Sequence, residues 1–171
     1  MHGNSGFTLL EMMIVIALLA IAAMLAAPAF GELLRDTRRA ATINTLAHAL
    51  HGARTAAATS GRAIRLCGTR DERSCSGEYS WGPVLLQRPA GDGDDPALIR
   101  LVPLPAGSGA PSVHSNRAWI EIAPLAPAAT TATLTVCDVR GAAAARALIV
   151  SRTGRSRISA RSASGTPLSC P

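Results

Sequence analysis

Two hydrophobic patterns share the first sixty positions. From Met12 to Phe30 the chain carries nineteen residues without a charge, apolar on every side of any helix drawn through them. As a helix, that length crosses a hydrocarbon core of about 30 Å. Further on, Ile43, Leu46, Ala47, Leu50, Ala53 and Ala57 return at intervals of three and four and mark one buried face. Arg35, Arg38, Arg39, Thr42 and Thr45 supply polar surface. The pattern predicts one long helix, bent by Pro28 near the end of its apolar half and stopped at Gly61. The first half needs lipid or other helices around it; the second needs a domain to lie on.

Beyond Gly61 the period shortens to two. Strands are predicted at 63–67, 79–87, 97–103, 118–122, 132–139, 146–151 and 154–160, parted by clusters of Gly, Pro, Ser and Asp. "GDGDDP" (91–96) and "PLPAGSGAPSVHSN" (103–116) read as exposed loops. The result is an α+β arrangement, an antiparallel sheet packed on the helix. Three segments are expected: a polar leader at 1–6, the helix at 7–60 and a β-rich domain at 61–171. With only five aromatic residues, its small core must rest on Ala, Leu, Ile and Val.

Composition narrows the chemistry. All seventeen basic residues are arginine, so Schiff bases, Ser-Lys dyads and Walker-type phosphate loops are excluded. There is no G-x-S-x-G or H-E-x-x-H arrangement, and His48 and His51 have no acid or cysteine pattern near them. The aspartates Asp92, Asp94 and Asp95 hint at a calcium loop, but an EF-hand would require Glu where Pro103 stands. Neither an enzyme, a metal nor a cofactor is expected.

The charge is uneven. After Asp138 no acid remains, while Arg140, Arg146, Arg152, Arg155, Arg157 and Arg161 follow and equal the net charge of +6. Such a one-signed block suggests an anionic partner, or a solvated surface. Four cysteines allow three pairings, and their spacings are unlike zinc sites. Order and spacing favour Cys67 with Cys75 and Cys137 with Cys170, as disulfides in an oxidising compartment.

One residue does not fit a plain membrane span. Glu11 sits at its start, and a carboxylate at the centre of a span costs roughly 2.5–3.5 kcal/mol, less near an end. The stretch "GFTLLE" (6–11) before an apolar run resembles the class III signal of type IV pilins and pseudopilins. The resemblance implies a pilin fold, cleavage by a prepilin peptidase between Gly6 and Phe7, and N-methylation of Phe7. It also implies a single-pass inner-membrane protein with a periplasmic domain, later moved into a surface pilus among other pilin subunits. In the fibre, the Glu11 carboxylate would neutralise the Phe7 amine of a neighbour and set the register of assembly.

The far end narrows the family. "LTVCDVRGAAAARALIVSRTGRSRIS" (134–159) resembles the FimT/GspH group of minor pilins and minor pseudopilins. In the FimT branch a G-R-x-R motif is associated with DNA binding in natural transformation, and Gly154-Arg155-Ser156-Arg157 matches it. The residues make physical sense of this. Two strands joined near Thr153-Gly154 would place Arg155, Arg157, Ser159 and Arg161 on one face, with Ile158 and Ala160 on the other. Alternate residues stand about 6.6–6.8 Å apart along a strand, a spacing that phosphates can match. Arg152 extends the patch. No aromatic follows Trp119, so double-stranded DNA would be held through phosphates without sequence preference. A minor pilin near the pilus tip, binding DNA through Arg152, Gly154, Arg155, Arg157 and Arg161, is the expectation. A minor pseudopilin of type II secretion with a structural role stands as the alternative.

Overall fold

The computed structural model describes residues 8–91, 95–124 and 129–171. Gly6, Phe7, Asp92 and Asp94 lie outside the described residues. Helix α1 runs Leu9–Ser60 and continues through Pro28. It ends where Gly61 turns to φ +64°, a left-handed stop that glycine adopts at no steric cost. The chain forms two compact units, Met1–Thr37 and Arg38–Pro171. In the first, every described residue up to Phe30 is exposed, and the segment is long and apolar enough to cross a membrane.

The second unit begins inside the helix. Thr42, Ile43, Leu46, Ala49, Leu50, Ala53 and Ala57 are buried there, and Ala47 is half-buried. Thr42 corrects the sequence reading, which put it on the polar surface. It is 0% exposed, and its hydroxyl donates to the Arg38 carbonyl at 3.0 Å. That local bond satisfies the one polar group and leaves the methyl for the core.

Among the described residues, nine strands form two antiparallel sheets. One has the order β4 (Ala97–Val102), β3 (Val84–Arg88), β1 (Ile64–Gly68), β6 (Trp119–Ile122). The other has the order β2 (Ser80–Trp81), β5 (Ser112–Ser115), β7 (Ala132–Cys137), β8 (Arg146–Val150), β9 (Ser156–Ser159). Register sets alternate side chains inward: Leu66 stands opposite both Leu86 and Ile120, and Leu134 opposite Leu148. These join the helix residues in a single core cluster.

Two strand expectations change. The run 79–87 is not one strand, because β2 and β3 belong to different sheets and Gly82-Pro83 lies between them. β2 is held from below: a Cβ on Gly68 would come within 2.9 Å of the Trp81 ring. The stretch 103–116, expected to be loop, contains β5, with Val113 in the core. A single apolar residue between Pro and Ser gives no period to read.

A smaller cluster of Cys137, Ala145, Ala147, Ile149 and Leu168 lies on the opposite face of the second sheet, where Cys170 packs against it. Cys137 is joined to Cys170, with 5.9 Å between Cα atoms, which ties the C-terminal tail to this face. Cys67 is joined to Cys75. Inside that loop, the N–H groups of Ser74 and Arg73 and two hydroxyls donate to Asp71 and hold its carboxyl below the usual range.

Candidate nucleic-acid interface

The arginine-rich end is a hairpin. β8 and β9 pair from Ala147↔Ser159 to Val150↔Ser156. Ser151 N–H donates to the Arg155 carbonyl at 2.9 Å, and Gly154 N–H to the Ser151 carbonyl at 2.8 Å. Arg152, Thr153 and Gly154 therefore make a three-residue connection whose last member must be left-handed. Gly154 sits at φ +72°. The Ser151 hydroxyl adds bonds to the Arg155 carbonyl and the Thr153 hydroxyl, so the turn is stiff.

Register then fixes where the arginines point. Arg157 stands opposite Ile149 and Ser159 opposite Ala147, so both lie on the tail-bearing face. Ile158 stands opposite Leu148 on the other face, as alternation predicts, yet it is 57% exposed. Among the described residues, β9 is the last strand of its sheet and has a neighbour on one side only.

The six C-terminal arginines are not equivalent. Arg140 is removed from the patch: its Nε and Nη2 donate to Asp138 at 3.0 and 2.6 Å. Arg39 of α1 reaches the same carboxylate at 3.7 Å and donates to the Ala144 carbonyl. Asp138 is 4% exposed in its side chain. The Arg140 hydrogen bonds hold its carboxyl below the usual range, aided by the charges of Arg140 and Arg39 and opposed by burial. Arg146 donates to the Ala145 carbonyl, and Arg161 to the Gly165 carbonyl at 3.0 Å. Arg152, Arg155 and Arg157 are exposed. Their side chains have no ion pair or hydrogen bond among the described residues.

A residue the sequence reading missed meets this turn from the helix. Nη1 of Arg54 approaches the Gly154 carbonyl at 3.4 Å, and its Cδ and Nε lie 3.4 Å from where a Gly154 Cβ would stand. The two are 100 positions apart, so no local pattern could have joined them. Elsewhere, Glu11 is exposed, and its N–H donates to the Thr8 hydroxyl at 3.3 Å. Among the described residues no three His, Cys, Asp or Glu side chains are grouped to hold a metal ion.

A long helix with an apolar start, packed through its second half on antiparallel sheet, defines the class of type IV pilin-like proteins. Two crystal structures of the type IV minor pilin FimU of Pseudomonas aeruginosa share the fold. One aligns with a TM-score of 0.53 over 77% of this chain and 98% of FimU, the other with 0.56 over 80% and 97%, each at 20% identity. The family model described as type II transport protein GspH matches residues 42–154, well over half of the sequence, and the chain belongs to that family. The prokaryotic N-terminal methylation motif matches residues 1–27. No curated protein matches the chain. Family and motif together make this a pilin- or pseudopilin-like structural subunit, processed by prepilin peptidase, anchored in a membrane by its apolar helix and assembled with other pilin subunits.

Proposed function

We propose that the chain is a minor pilin of the FimT kind that captures extracellular duplex DNA for uptake in natural transformation. Cleavage after Gly6 frees Phe7 for methylation, and the single apolar span holds the subunit in the inner membrane with its sheet domain in the periplasm. Paired through Glu11 with a neighbour's Phe7 amine, it passes into the pilus near the tip. The observation that carries the reading is the hairpin: three exposed arginines, Arg152, Arg155 and Arg157, without a counter-charge among the described residues, are set around a turn fixed by Gly154. Guanidinium groups present paired donors that fit phosphate oxygens. Arg161, already bonded to Gly165, adds charge at the border of the patch.

A specific observation favours the second reading, a minor pseudopilin of type II secretion. The family model that matches is the GspH model, and its matched residues stop at Gly154, one position before Arg155. A mobility-shift series with the full chain in neutral detergent separates the two. The parent should bind random-sequence duplex with a steep salt dependence, and the Arg155→Gln/Arg157→Gln variant should lose about two from that slope. Equal affinity and slope for both proteins would favour the secretion subunit.

A further inference from the structure

We infer that the phosphate-binding surface continues from the β8–β9 turn onto helix α1, where a crevice built around Arg54 takes a further phosphate of the same DNA strand. This extension rests on the proposed DNA-binding role of the turn. The crevice has a volume of about 390 Å³. His51, Arg54, Thr55 and Ala58 of α1 form one wall, Thr153 and Gly154 another, and an apolar stretch from Ile122 to Pro124 with Ala129 lines the rest. Among the described residues that line it there is no carboxylate.

Three features point to an anion. The first is the state of Arg54. Its one hydrogen bond goes to a neutral carbonyl at 3.4 Å, beyond the usual 2.7–3.2 Å. Of five guanidinium N–H donors, most are left unused, and the charge has no counter-charge among the described residues.

The second is the company it keeps. Arg54 is held against a turn that already carries Arg152 and leads into Arg155 and Arg157. Like charges gathered this way repel one another, and a bound polyanion relieves that repulsion.

The third is the chemistry of the walls. His51 is three positions from Arg54 and shares its side of the helix, offering a ring N–H. The lining has no aromatic ring apart from that imidazole, so the site suits a backbone phosphate and not a stacked base. The Arg54 stem packs at ordinary van der Waals distance, 3.4 Å, from where a Gly154 Cβ would stand, and it is the φ of +72° that calls for glycine there.

The test is fluorescence anisotropy of the full chain in neutral detergent with a labelled random duplex over a sodium chloride series. Arg54→Gln should lower the salt slope by about 0.9 and weaken binding roughly eightfold at 0.1 M salt, the effect of one released counterion relative to 1 M. Arg54→Lys, which keeps the cation, should restore most of the slope. Ala58→Glu places a carboxylate in the crevice at an exposed helical position and should weaken binding with Arg54 still present. Hydrogen exchange of the Gly154 amide reports whether the turn survives each change.

Suppose Arg54→Gln and Ala58→Glu bind like the parent while Arg155→Gln/Arg157→Gln does not. The crevice is then no part of the site, and the turn stands alone. If Arg155→Gln/Arg157→Gln also binds normally, the DNA reading itself fails. If Arg54→Gln weakens binding only with loss of Gly154 protection, and Ala58→Glu has no effect, Arg54 merely props the turn and the phosphate assignment is overturned.

Discussion

Gly154 sits at the centre of a small set of constraints. Its φ of +72° is needed to close the three-residue connection, and the Arg54 stem packs against it. Gly154→Ala should therefore cost about 1–2 kcal/mol through the left-handed backbone, lowering the melting temperature and, as the turn loosens, DNA affinity. The G-R-x-R spelling made Gly154, Arg155 and Arg157 legible in sequence. Arg54 was not, because it reads as one more polar residue on an exposed helix face until its distant partner is known. Asp138 is a second fixed point. Its folded pKa lies below the usual value of about 3.9, so its stabilising effect is complete above that pH and is lost as pH falls through the depressed folded value. Asp138→Asn should cost roughly 1.5–3 kcal/mol at neutral pH and flatten the melting temperature between neutral and acid pH. An unchanged acid slope would mean that another carboxylate carries it. The same contact explains why Arg140, counted by sequence with the anion-binding block, is spent inside the fold.

Elements whose period repeats were readable, and elements defined by partners were not. Helix α1 offered six spaced apolar positions and a glycine stop, and it runs to Ser60 as the pattern asks. β7 and β8 are runs of β-branched and apolar residues and appear at nearly their expected bounds. β2 is two residues long and exists because Trp81 packs over Gly68 and pairs with β5. β5 exists because Val113 stands opposite Val136 in the core. The sequence runs β2 into the strand at 79–87 and hides β5 in a loop, because neither signals its partner in its own letters. The tail 161–171 lacks both period and paired strand, and the Cys137–Cys170 bond, 33 positions apart, holds it across the outer face of the second sheet. In the chain-entropy view that bond stabilises by about 3–4 kcal/mol. Cys137→Ala/Cys170→Ala should lower the melting temperature by a corresponding amount. It should also release Leu168 from Ile149 and loosen the face on which Arg157 stands, so DNA affinity should fall further than for loss of a remote disulfide. If only the melting temperature moves, the tail does not support the arginine patch.

At the scale of the molecule, the two ends carry charges with opposite demands. On the proposed reading, the arginine turn must stay exposed to meet a polyanion, whereas Glu11 lies near the start of an apolar helix that would assemble against others of its kind. A carboxylate surrounded by helices is costly unless a cation meets it, and the proposed processing would supply one. In the proposed processing, cleavage after Gly6 would create an α-amine on Phe7 that methylation leaves charged. Pairing one subunit's Glu11 with the next subunit's amine would then remove two isolated charges at once and select a single axial offset between neighbours. Glu11→Gln keeps the shape and removes the charge, leaving the partner's amine unpaired. Mass spectrometry should find the variant chain still beginning at methylated Phe7, since the peptidase acts before assembly. Immunoblots of sheared fibres should find it strongly depleted, with the protein retained in the membrane fraction. Its affinity for duplex DNA in detergent should equal the parent's, because the turn near Gly154 is untouched, while transformation of whole cells should fall with fibre incorporation. Normal incorporation of Glu11→Gln would show that register is set elsewhere along α1. Normal transformation without incorporation would separate DNA uptake from the fibre and return the arginine turn to a role at the membrane.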